Sequence, residues 1–238
     1  MARLRRLAVA GWPHHVVQRS LDARTVFADE VDRREILAAL HEGAALLKIS
    51  IHAYVLLDSE WQLLVTPPVP EALGRLMQIV GRRYGASHNR RHGRVGALWE
   101  GRFRATVVDR GADTLECIRF IEQAPVRTGL VPMPKLWRWS SACGHLGQGR
   151  DPLLSETDAF WTLGNTPFER ELRWAMMLED SLPEDRVALR SRSVETGWPV
   201  GSGSFLAQIS RLTDRPLTPR PRGRPASKST GDMDHTEL

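Results

Sequence analysis

Few reactive side chains in this sequence stand close enough together to share a task. His88 and His92 are four residues apart, the spacing that puts two imidazoles on one helix face and lets them hold a metal. Gly93 and the surrounding arginines favour contact with phosphate or solvent there instead. His14 and His15 are adjacent, so on a strand they point to opposite faces and do not serve one metal. Tyr54 and Tyr84, the two tyrosines, fall mid-strand and on an apolar helical stripe, where core residues sit. Cys117 and Cys143 are far apart and lack metal-ligand spacing. They exclude a disulfide scaffold or zinc finger and predict a reducing cytoplasm.

What remains is arginine. It supplies all but three of the 33 basic residues, the exceptions being Lys48, Lys135 and Lys228, and a guanidinium suits bidentate phosphate contact. From Arg75 to Arg104 eight arginines stand against Glu100 alone, net +7 in a chain whose total is +5. A second cluster, Arg211 to Lys228, sets six basic residues against Asp214. Two such clusters predict polyanion binding, the plain alternative being a solvated basic face. Within the second, Pro221-Arg222-Gly223-Arg224-Pro225 carries the Arg-Gly-Arg-Pro core of an AT-hook. Arg222 and Arg224 would then reach along a narrow A·T minor groove, with generic phosphate attraction as the alternative.

The elements that must position these groups follow from periodicity. With 42% hydrophobic and 26% charged residues the 238-residue chain is globular. No apolar run approaches the ~18 residues of a membrane span, and Leu7 to Gly11 is too short for a signal-peptide core. His14 to Arg19 predicts a strand. Asp29 predicts the cap of a helix over about 31–48 with Ile36, Leu37, Leu40, Ala44 and Leu47 on its apolar face. Strands over 51–57 and 61–66 flank a tight Asp58-Ser59 turn. A second helix follows Pro67-Pro68, buries Leu73, Leu76, Met77, Val80 and Tyr84, and leaves Arg75, Arg82 and Arg90 on its open face. A fourth strand is predicted over 102–109. A third helix follows, capped by Asp113 or Thr114 and ended by Pro125, with Glu116 and Glu122 as solvated carboxylates. The order β-α-β-β-α-β-α predicts an α+β fold, a ferredoxin-like split βαβ antiparallel sheet with helices packed on it. Residues 1–150 form that domain, 165–214 a helical extension, and 215–238 a disordered basic tail.

Several segments together carry a family likeness. They are Pro13 to Arg19 (PHHVVQR), His52 to Leu56 (HAYVL), Leu63 to Pro67 (LLVTP), Gly81 to Tyr84 (GRRY), Leu98 to Arg104 (LWEGRFR), Pro125 to Val131 (PVRTGLV) and Trp139 to Ser141 (WSS). In this order, across about residues 1–150, the chain resembles the single-tyrosine HUH transposases, closest to the REP-associated tyrosine transposases. The resemblance implies strand cleavage and rejoining through a tyrosine–DNA phosphate, assisted by a divalent metal such as Mg or Mn held by two histidines. Those positions are replaced here. The histidine pair falls on Glu60 and Gln62, the nucleophile on Phe120, and the polar residue completing the metal shell on Ala124. Phe120 has no hydroxyl to form the covalent bond.

The resemblance and the charge together predict a degenerate, catalytically inactive member that binds DNA hairpins or single-stranded ends. Arg82, Arg83, Arg90, Arg91, Arg94, Arg102 and Arg104 would hold phosphates. No cofactor is expected, and the place of action is the cytoplasm at the nucleoid. Two alternatives stand. One is a nuclease that activates water on a metal at Glu60 and Gln62. The other is an RNA-binding module using the sheet as a platform, with Trp61 for stacking.

Overall fold

The computed structural model describes residues 5–219, so the segment carrying Arg222 and Arg224 lies outside the described residues. The expected alternation builds β1 (His14–Arg19), β2 (Ser50–Leu56), β3 (Glu60–Thr66) and β4 (Arg104–Val107), joined in one antiparallel sheet of order β2-β3-β1-β4. Between them run α1 (Glu30–Leu47) and α2 (Pro70–Arg91). Asp29 caps α1 as expected, its carboxylate accepting from the amides of Val31 and Asp32 at 2.9 and 3.0 Å. Pro70 opens α2, where a missing amide hydrogen costs nothing.

The period of two divides the sheet into two faces. Val16, Trp61, Leu63 and Val65 face α1 and α2 and pack with Ile36, Leu40, Leu76 and Val80. The two helices lie close because Gly43 meets Leu76: a methyl at Gly43 would stand 2.9 Å from Leu76 Cδ1. Trp61, 1% exposed, is inside this layer against Trp99 and cannot stack on a base. The RNA-platform expectation fails there.

The opposite face is covered as well, by elements that come later in the chain. They are α3 (Ala112–Glu122), α4 (Ala124–Arg127), α5 (Ala142–His145), α6 (Asp158–Trp161), α7 (Pro167–Glu179) and α8 (Glu184–Thr196), whereas α9 (Gly203–Arg211) packs Phe205 and Ile209 on Val107, Trp12 and Leu7. Leu64, Ala53 and Val55 meet Ile118, Phe120 and Ile121 of α3, with Trp174 and Leu178 of α7 in the same cluster. α8 lies on β4, where Thr106 and Ser193 hydroxyls are 3.1 Å apart. The α3 cap differs from expectation. Gly111, at φ +75°, turns the chain in the left-handed region that favours glycine. Thr114 Oγ1 donates to the Asp109 carbonyl, and Asp113 pairs with Arg190. The fold also runs past the boundary expected at Arg215. Its guanidinium donates to the Gly197 carbonyl at 2.8 Å, and Leu217 packs on the cluster of Leu7, Trp12 and Phe205.

Candidate nucleic-acid interface

Glu60 and Gln62 lie on the α3 side of β3, as their odd offset from Trp61 requires. Gln62 pairs across the sheet with Val17, and its Oε1 is 3.1 Å from His15 Nε2. Its amide donates to Glu60 Oε1 at 2.7 Å, and Glu60 Oε2 accepts from Arg19 Nε at 2.9 Å. Phe120 packs edge-on to His15 at 5.5 Å between ring centroids, and the Arg127 guanidinium lies 4.2 Å over the same ring. Three of the four positions expected at a family active site are thus linked through His15, while Ala124, buried at the start of α4, presents only a methyl. His15 is fully buried and burial pulls its pKa down to about 4, so it is a neutral hydrogen-bonding group. Burial also lowers the Arg127 pKa to about 10, with Glu60 acting against that shift.

A divalent cation does not fit these residues. The oxygens of Glu60 and Gln62 already accept from Arg19, Gln62 and His15, and Ala124 supplies no donor atom. The guanidiniums of Arg19 and Arg127 would repel the ion. Neither a family-type metal nor the metal-activated water of the nuclease alternative has a set of free ligands here.

The arginines divide into two groups. Arg83 forms a forked pair with Glu42, Arg91 pairs with Asp29 and Asp32, and Arg104 lies against Glu195 with 3.8 Å between Nε and Oε2. The side chains of Arg82, Arg90, Arg94 and Arg102 make no hydrogen bond or ion pair among the described residues. Arg102 and Arg104 also line a cavity of about 120 Å³ with Arg5, Arg6 and Arg215, and Glu195 is its single acid. Arg6 is held there by the Phe103 carbonyl at 3.0 Å and by the Phe103 ring beneath it. Arg5, Arg6 and Arg215 lie about a hundred residues from β4 on either side, so local charge counting overlooks them. The one signal available was that both chain ends are arginine-rich.

Other polar residues proved structural. Glu122, expected in solvent, is 0% exposed; it accepts from the Ser141 hydroxyl and from Trp174 Nε1 at 3.0 Å, and contacts His145 Nδ1 at 2.6 Å. Glu116 holds Arg186 and Arg190 of α8 at 2.8 and 2.7 Å. Burial brings the His14 pKa to about 4; its ring bridges the Val9 amide and the Trp12 carbonyl. His88 and His92 do not turn to phosphate or solvent as expected; with Asp32 they form one cluster.

The antiparallel sheet with helices on both faces constitutes a transposase-like α+β fold. Among solved structures it is similar to a REP-associated tyrosine transposase bound to a REP hairpin, with a TM-score of 0.54 and 17% identity over 67% of this chain and 93% of that one. A candidate transposase from Deinococcus radiodurans R1 aligns over 46% of this chain and 85% of its own, at 19% identity and a TM-score of 0.35. No protein-family model matches the chain, and no curated protein does. Among the described residues no helix is long and apolar enough to cross a membrane.

Proposed function

We propose that this chain binds DNA by its phosphates and neither cuts nor rejoins strands. The observation that carries the reading is the cavity in which Arg5, Arg6, Arg102, Arg104 and Arg215 converge. Arg104 and Gln62 flank Val17 on neighbouring strands, so the cavity opens about 10 Å, two strand spacings, from the place of the lost chemistry. A strand held there, with Arg82, Arg90 and Arg94 along the end of α2, would pass a site with no hydroxyl and no metal ligand to give. The fitting ligand is a hairpin, as bound by the solved transposase of similar fold, or a single-stranded end. The Arg222–Arg224 segment would add an auxiliary contact by tethering, and nucleoid DNA would be the partner in the cell.

Fluorescence anisotropy with a labelled hairpin, its unpaired strand and the RNA of the same sequence tests the reading, together with incubation in Mg²⁺ or Mn²⁺. The expected result is salt-sensitive binding that favours DNA, with no adduct surviving denaturant. A covalent adduct, binding indifferent to salt, or a preference for RNA would overturn it.

A further inference from the structure

α1 begins where α2 ends, and three metal-ligating side chains meet there. We propose that Asp32, His88 and His92 form a binding site for a divalent transition metal of the zinc class. This site is separate from the arginine cavity and does not depend on DNA binding. One ligand atom from each residue lies within 4.8 Å of the others. His92 Nε2 is 3.0 and 3.1 Å from the two Asp32 oxygens. That is close to the ~3.3 Å edge of a tetrahedron built with bonds of about 2.0 Å. The two imidazoles are one helical turn apart with ring centroids 4.3 Å from each other. Two histidines and one carboxylate are a borderline-soft set that suits zinc better than magnesium, and water completes the fourth position.

Two buried atoms at and beside the cluster lack a partner. His88 is 2% exposed, yet its Nδ1 has no hydrogen-bond partner. Glu35, one turn along α1 from Asp32, has a buried Oε2 that is also without one. Buried polar atoms in native proteins are rarely left so. Asp32 is oriented for the role, since its Oδ2 accepts from the Ala28 amide at 2.9 Å and so fixes the carboxylate. Arg91 now bridges Asp32 and Asp29. On metal binding it retains Asp29, and His92 takes the tautomer with its ring hydrogen on Nδ1, which leaves Nε2 to the metal beside Asp32. His92 also closes α2, its amide donating to the His88 carbonyl at 2.9 Å. A metal at this point pins the last turn of α2 to the start of α1. It thereby fixes the direction in which Arg94 and the loop to Arg102 leave the helix.

The test is titration of the chelator-stripped full chain with Co²⁺ and then Zn²⁺, read by visible ligand-field absorption and thermal unfolding. One equivalent of Co²⁺ should give tetrahedral bands that Zn²⁺ abolishes, and Zn²⁺ but not Mg²⁺ should raise Tm. His88→Gln and His92→Gln should each weaken binding roughly tenfold or more. His92 is half-buried, so His92→Gln keeps the assay interpretable if the His88 variant fails to fold. Arg91→Ala should tighten metal binding, because it removes the competing cation. The proposal is overturned if no saturable Co²⁺ spectrum develops at millimolar metal, if both histidine variants bind like the parent, or if Arg91→Ala weakens binding.

Discussion

Around Gln62 nearly every polar atom is answered by another from the same chain: His15, Gln62, Glu60 and Arg19 form one unbroken line of hydrogen bonds. Around Arg102, two strand spacings away, five arginines line one cavity with a single acid among them, and Arg102 itself has no partner among the described residues. The closed line gives shape to the sheet face and leaves the buried His15 Nδ1 as its unpartnered atom, so a ligand would have to break internal bonds to use the others. The open group keeps a field that extends about 8–10 Å into solution at physiological salt. Position in the fold therefore says less about binding than whether the groups there lack a partner. The Glu122 cluster belongs with the closed kind, and the unpaired arginines at the end of α2 with the open kind.

Five measurements can break or sharpen that contrast. Glu122→Ala leaves Ser141, His145 and Trp174 without their acceptor in the core, and should cost about 3–5 kcal/mol in urea unfolding. DNA affinity of the folded fraction should hold; a loss of affinity without loss of stability would place Glu122 in the open region. Acid should act on the closed region too. His14 and His15 titrate near pH 4 in the fold and near 6.5 when unfolded, so below 6.5 only the unfolded chain takes up their protons. Stability should be full above about pH 6.5 and fall toward pH 4, by an order of 3 kcal/mol for each histidine. A flat unfolding free energy between pH 7.5 and 5 would contradict this.

The open region should respond in affinity instead. Arg102→Ala with Arg104→Ala should weaken single-stranded DNA binding about tenfold and reduce the salt slope by roughly 1.4. Arg82→Ala should cost more than Arg83→Ala, since Arg83 is tied to Glu42 and its neighbour is not. Equal effects would mean that pairing does not decide availability. Smallest of all, Glu195→Gln removes the one acid of the cavity and should tighten binding about twofold to threefold, the scale of a partly exposed ion pair.

The sheet was legible because its evidence is local. Alternation from Trp61 to Thr66, the Asp29 cap and the stripe from Leu73 to Tyr84 each lie within one element. Where structure departs from expectation, the cause is distant in sequence. Glu122 looks like any helical carboxylate, and its partner Trp174 stands 52 residues downstream. The cavity needs Arg5 and Arg215 from opposite ends of the described chain. His88 continues the buried stripe of α2 one turn past Tyr84, but the stripe alone did not reveal Asp32 of α1 beside it. The bulge in β2, where Ala53 and not His52 pairs with Leu64, lets His52 reach Thr66 and the Ser155 carbonyl, a bend with no turn residue to announce it.

The lateness of α8 has a consequence for how the molecule comes into being. β4 is finished at Val107, but the helix that covers it ends at Thr196, 89 residues later. At cellular synthesis rates of about 5–20 residues per second, β4 waits roughly 4 to 18 seconds for that cover, although α3 is made directly after it and already shields the centre of the sheet. Thr106 is wet during that interval, and β4, an edge strand, is open to other chains. A ribosome stalled in this window would release an aggregation-prone fragment, whereas one that passes Thr196 releases a chain able to close.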